Sequence, residues 1–238
     1  MDGNLARGCS FKRIKLLTKS FGENMVKALF LGSIGTLAET SEIQRNAYNQ
    51  AFEEHGIDWY WNIANYCELL KHPGGRGRLK RFSNGKLSTE TINSIHARKE
   101  ELFKEKLGGS IKPRHGLVEC IKFCRQKNIK VGFITTTSIK NINSLKTALL
   151  PYIDINDFDL ITNKNDVKKE KPNSEVYRFA LSKLKLKPSE TIAVEDTEVN
   201  QQAALEQRIL CYLFAGEYAT TRVNFNLINT LTTIIGKL

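Results

Sequence analysis

The chain has 238 residues, 41% apolar and 26% charged, with a formal net charge of +11. These are the proportions of an ordinary globular protein with a sizeable core, sized for one α/β domain or for a core carrying an insert. They exclude a membrane-spanning protein, since no run approaches the ~18 apolar residues a span needs.

Five cysteines (Cys9, Cys67, Cys120, Cys124 and Cys211) are odd in number and scattered, which argues against a disulfide framework. No Cys or His cluster has metal-ligand spacing. A reduced, cytoplasmic compartment fits this usage. The positive charge has two readings, a nucleic-acid surface or a lysine-rich solvated face. No aromatic-interleaved basic motif and no zinc-finger spacing supports the first. The densest positive run is Lys71, Arg76, Arg78, Lys80 and Arg81, with no acid among residues 69–82. It reads as a phosphate-facing loop or, alternatively, as a basic binding scaffold.

Residues 1–24 carry Arg7, Lys12, Arg13, Lys15 and Lys19 without an apolar stretch behind them. They read as a basic, disordered tail, with a short leader as the alternative. Val26–Ser33 is an apolar run expected to form a strand buried on both faces. Gly35 and Thr36 turn the chain. Residues 41–56 form an amphipathic helix, with Ser41 and Gln44 as its capping box and Gly56 as its stop. Trp59, Tyr60 and Trp61 open a second helix ending near Leu70. Residues 72–78 read as a loop, and Ser88 caps a long helix that closes at Gly108–Gly109.

Beyond this helical block, strands and helices alternate. Strands are expected over 129–136, 159–162, 191–196 and 209–216, each after a helix. The pattern predicts a doubly wound parallel sheet with a helical cap inserted after strand one. The core then comprises residues 25–40 and 110–238, and the cap residues 41–109.

In such sheets ligands bind at the carboxyl ends of the strands. Those ends hold Gly32 to Ile34, Thr135 to Thr137, and Glu195 with Asp196, and Lys171 precedes a helix. Each residue has an ordinary explanation: threonine favours strands, lysine before proline is usually solvated, and Glu-Asp before a helix often caps it. Together they describe a polar pocket able to hold a phosphoryl group and a cation.

The order of these residues resembles the haloacid dehalogenase superfamily, in particular its β-phosphoglucomutase-like phosphatases of the CbbY type, which act on xylulose 1,5-bisphosphate. The likeness runs from Val26 to Phe214. It rests on GTLAETSE, GIDWYWNIANYCELL, the Gly-Gly with Arg76 and Arg78, TTTSIKN, KPNSEVY and VEDTEVNQQAA. The resemblance implies a phosphate-binding hydroxyl at Thr135 and a neutralising cation at Lys171. It also implies magnesium ligation by Asp196 with Glu195, a sugar contact at Glu39, and a grip on the distal part of the substrate by Arg76 and Arg78.

The resemblance also implies two aspartates that are absent. The nucleophile's place holds Gly32 and the general acid/base's place holds Ile34. Gln44 stands for the usual cap histidine, Ser174 for a proline, and Asn200 for a glycine. Loss of a covalent nucleophile costs about 10^6 in rate on protease precedent, and loss of acid/base help roughly 10^2 to 10^4. The sequence therefore predicts a binding protein without family catalysis, its partner a phosphosugar or a protein. A hydrolase rerouted through Asp196 is the alternative. Magnesium binding is expected to be weakened. In its absence Lys171 and Asp196 are expected to pair.

Overall fold

The structure is a computed structural model and describes residues 25–72, 74–220 and 226–238. The expected tail over 1–24 lies outside the described residues. Five parallel strands form one sheet in the order β3-β2-β1-β4-β5: β1 Ala28–Gly32, β2 Lys130–Ile134, β3 Leu160–Ile161, β4 Thr191–Glu195 and β5 Leu210–Leu213. Strand β1 lies at the centre, fully buried, as its continuous apolar run requires. Its alternate residues feed two cores. Leu29 and Leu31 join Val131, Phe133, Ile192 and Val194 on one face. Ala28 and Phe30 join Ile134, Ala193 and Cys211 on the other.

Helices cover both faces. On the first lie α6 (Leu117–Gln126) and α7 (Ile139–Leu149), which bury Cys120, Cys124 and Leu145. On the second lie α8 (Glu175–Leu184) and α9 (Glu198–Glu206), which bury Tyr177, Ala180 and Ala203. A single turn of helix, α1 (Ser33–Leu37), follows β1 directly, where the sequence suggested only a turn. A short α10 (Thr232–Ile235) closes the chain against α6.

Between α1 and α6, among the described residues, stand four helices: α2 (Ser41–Glu54), α3 (Ile63–Leu70), α4 (Gly75–Phe82) and α5 (Thr89–Leu107). They share an aromatic core in which Tyr48, Phe52, Trp61, Tyr66 and Phe103 are almost wholly buried. Trp61 lies 4.7 Å from Tyr48 and 4.8 Å from Phe52, centroid to centroid, within the range of favourable aromatic pairs.

Three local expectations are corrected. The aromatic residues 59–61 precede α3 rather than opening it, because Asn62 caps that helix by accepting from the Asn65 amide. Residues 75–78 are not loop but the start of α4. Its Gly75 lets the helix approach α2 and α5: a Cβ there would lie 2.4 Å from the Tyr48 hydroxyl and 2.6 Å from His96 Nε2. The Ser41–Gln44 capping box is absent. The Gln44 amide donates to the Thr40 hydroxyl instead, at 3.0 Å.

Candidate ligand cavity at the strand ends

The sheet register assembles the site. Gly32 pairs with Ile134, so Thr135 follows at the same edge. Leu31 pairs with Val194, which sets Glu195 beside Gly32. A cavity of about 320 Å³ opens over this edge and is roofed by α2, α4 and α5. From the core, Ser33, Ile34, Thr135, Lys171, Asp196 and Asn200 line it. Arg76, Arg78, His96 and Lys99 line it from the cap helices.

Glu195 is fully buried. Its Oε1 accepts hydrogen bonds from Lys171 Nζ and the Tyr177 hydroxyl. Its Oε2 accepts one from the Ser33 hydroxyl at 2.9 Å. Lys171 also donates to the Ile134 carbonyl at 2.6 Å. Ser33 in turn accepts from Asn200 Nδ2 at 2.9 Å. A buried charge is tolerated when it is paired and hydrogen-bonded, and this one is both. The expected Lys171–Asp196 pair is thus replaced by Lys171–Glu195. The reason is space. Gly32 has no side chain, and Glu195 extends into the volume this leaves: a Cβ on Gly32 would lie 2.2 Å from both Cδ and Oε1 of Glu195.

Asp196 is helped by hydrogen bonds from Ser33 and Asn200, which do not offset its burial. Its Oδ1 is buried with no hydrogen-bond partner. Burial first, and then the Glu195 charge, push its carboxyl up to about 6, with Lys171 opposing. Thr135 sits in the lining, 3% exposed. Its backbone is pinned by Thr162, whose hydroxyl accepts from the Thr135 amide and donates to the Thr135 carbonyl, both at 2.8 Å.

The opposite wall carries three basic side chains against one carboxylate, Glu100. Arg76 is held by Asn93 Oδ1 at 2.8 Å, and Arg78 by the His72 carbonyl at 3.2 Å. Lys99 is 3% exposed. It donates to Gln44 Oε1 at 2.9 Å and stands 5.1 Å from the Tyr48 ring centroid. Burial, reinforced by the Arg78 charge, pulls its ammonium down to about 7. Burial and the neighbouring Arg76 hold the His96 imidazole down at about 3, so it is neutral. Among the described residues none of Arg76, Arg78 and Lys99 has a carboxylate within ion-pair distance, an arrangement suited to an anion.

Glu39 is not among the lining residues. Its carboxylate accepts from the Ser41 amide (2.8 Å), the Glu217 amide (2.7 Å) and Arg114 (3.4 Å), at the junction between the sheet and the cap helices. The structure brings Thr135, Lys171, Asp196, Arg76 and Arg78 to one cavity, sets Glu195 beneath it, and leaves Glu39 outside.

The sequence did not single out Lys99, Tyr177 or the hydroxyl of Ser33. A signal for Lys99 existed: it falls in the buried stripe of α5 with Ile92, Ile95 and Leu102, where a lysine is out of place. Ser33 carries none. Its role follows from its backbone (φ 45) and its two partners.

Magnesium takes oxygen ligands in near-octahedral array, usually one or two carboxylates besides phosphate and water. Of the two carboxylates here, Glu195 is committed to Lys171, Tyr177 and Ser33, and Asp196 offers a single unpartnered oxygen. Among the described residues no three acidic, His or Cys side chains group as metal ligands. The residues present do not fit the family's magnesium site.

Comparison with known proteins agrees with the architecture. The profile of the haloacid dehalogenase-like hydrolase family matches residues 35–213. The CbbY protein of Cereibacter sphaeroides is 33% identical over 198 residues, covering 82% of this chain and 86% of that protein. The crystal structure of CbbY from Rhodobacter sphaeroides in complex with phosphate superposes with a TM-score of 0.80 at 30% identity, covering 88% of this chain and 96% of that one. A mutant of the same protein in complex with xylulose-(1,5)bisphosphate gives 0.78 at 30% identity, covering 87% and 95%. Among the described residues no helix is long and apolar enough to cross a membrane.

Proposed function

Because the chain belongs to the haloacid dehalogenase-like hydrolase family, we propose that it binds a phosphorylated sugar in the cavity and does not turn it over by the family's covalent route. The observation that carries this reading is at Gly32. No carboxylate projects there, and the space is filled by Glu195, whose oxygens are engaged by Lys171, Tyr177 and Ser33. Ile34, at the edge of the same cavity, has no proton to transfer. Phosphoryl transfer rests on positioned charge and a positioned nucleophile, and this floor supplies neither at β1.

Anion binding is another matter. Thr135 offers a hydroxyl, and Arg76, Arg78 and Lys99 offer cations without acidic partners. A ligand with phosphate at both ends suits a cavity with a polar floor and a cationic roof. The relative crystallised with xylulose-(1,5)bisphosphate makes that compound the first to try. Of the positive run, Arg76 and Arg78 line the cavity while Lys71 is paired with Glu68, which favours a cavity ligand over a basic scaffold.

The test is calorimetric titration with xylulose 1,5-bisphosphate beside an assay of phosphate release with magnesium present. Binding without release supports the proposal. Release that disappears in Asp196→Asn overturns it in favour of a hydrolase rerouted through that carboxylate. Failure to bind this or any other phosphosugar overturns it in favour of a protein partner.

A further inference from the structure

We propose that Glu195 has taken over the place of the carboxylate missing from β1, with Ser33 and Asn200 as the positioning residues that hold it there. The inference concerns the same cavity but does not depend on whether the protein turns a ligand over.

A side chain at position 32 would begin 2.2 Å from the Glu195 carboxyl carbon, closer than non-bonded atoms approach. Glu195 therefore occupies the ground that an aspartate there would hold. From it, Glu195 neutralises Lys171. A carboxylate of β4 thus fills the end of β1.

Glu195 is fixed in that place through both of its oxygens. Lys171 and Tyr177 bind only Oε1. Oε2 is held by the Ser33 hydroxyl, and that hydroxyl is oriented by Asn200 Nδ2. Asn200 thus donates to Ser33 and Ser33 to Glu195, and both also reach the Asp196 carboxylate beside them. Ser33 adopts a left-handed backbone (φ 45) that non-glycine residues rarely take. Such strain persists where surrounding contacts enforce it, and here two side-chain bonds converge on the strained residue. Gly32 and Asn200, both departures from the family pattern, thus serve one arrangement: Gly32 leaves the space that Glu195 fills, and Asn200 donates to the serine that holds it. The floor is rebuilt, not merely damaged.

The proposal makes an unusual prediction about restoring the lost residue. Gly32→Asp alone forces Glu195 from its bonds and lowers the melting temperature by several degrees. Glu195→Ala alone strands Lys171 and Tyr177 and does the same. Together, the new aspartate fills the emptied volume within reach of Lys171, and the double variant melts above the more damaged single variant. A purely structural role for each residue gives additive losses instead. Glu195→Gln serves as the control, since it keeps the volume filled, and Gly32→Asp is expected to gain nothing on that background.

The nitrogen-15 signal of the Lys171 ammonium gives a second readout. It is expected to be protected in the wild type and in Gly32→Asp/Glu195→Ala, and to be lost in Glu195→Ala. For the positioning role, Ser33→Ala is expected to cost less stability in Glu195→Ala than in the wild type, because part of what its hydroxyl holds is the Glu195 carboxylate. Additive losses in the carboxylate exchange, or rescue on the glutamine background, overturn the proposal. So does a Ser33→Ala loss of equal size in the wild type and in Glu195→Ala.

Discussion

Replacing Asp196 by asparagine is expected to stabilise the protein, and only above a certain pH. Burial and the nearby Glu195 charge raise this carboxyl from its ordinary 3.8 to about 6. Between those values the folded state binds more protons than the unfolded state, so stability falls as pH rises through the window. A shift of about two units, at 1.36 kcal/mol per unit, is worth about 3 kcal/mol at most. The asparagine variant carries no such penalty. The stability difference, variant minus wild type, should therefore climb by up to ~3 kcal/mol from pH 4 to pH 7 and then level off. Urea unfolding at several pH values, with chelator present, measures it. A difference that stays flat across that range refutes the picture of a buried carboxylate held without adequate partners.

Other outcomes follow from the cavity walls and the cap core. Arg76→Ala and Arg78→Ala should each weaken xylulose 1,5-bisphosphate binding, by roughly 10- to 100-fold if each guanidinium makes a charge-assisted hydrogen bond. Unchanged calorimetric affinity would place the ligand elsewhere. Lys99 is charged below about 7 and neutral above it, so sulfate, a dianion throughout, should bind more weakly as pH rises from 6 to 8. Lys99→Met should flatten that profile in the same titration. Trp61 is fully buried among aromatic rings; Trp61→Ala should cost about 3–5 kcal/mol in denaturant unfolding.

Much of the architecture was legible because its signals are local and periodic. The apolar run at β1, the strand–helix alternation and the Ser88 cap each translate directly into the observed elements. The cap entry was harder. Residues 75–78 look like loop because two glycines and two arginines interrupt any helical pattern, yet Gly75 serves helix packing against Tyr48 and His96. At the site, composition and order indicated which residues meet at the strand ends. They could not indicate which carboxylate Lys171 would choose. Glu195 and Asp196 are adjacent in sequence, and the choice turns on an empty volume at Gly32, a long-range fact of sheet register. Glu39 shows the same limit, since its partners lie at Arg114 and Glu217, far along the chain.

That last carboxylate ties three separate pieces of chain to one point. Ser41 starts the outgoing passage to the cap helices, Arg114 stands on the return passage, and Glu217 belongs to the loop after β5. Close by, the Tyr218 hydroxyl donates to Glu42 on the first cap helix. Any rocking of the roof against the sheet would have to turn about these bonds, so the amides of Ser41 and Glu217 should exchange their hydrogens as a pair. Loosening Glu39 would then change how fast a ligand enters and leaves more than how tightly it is finally held.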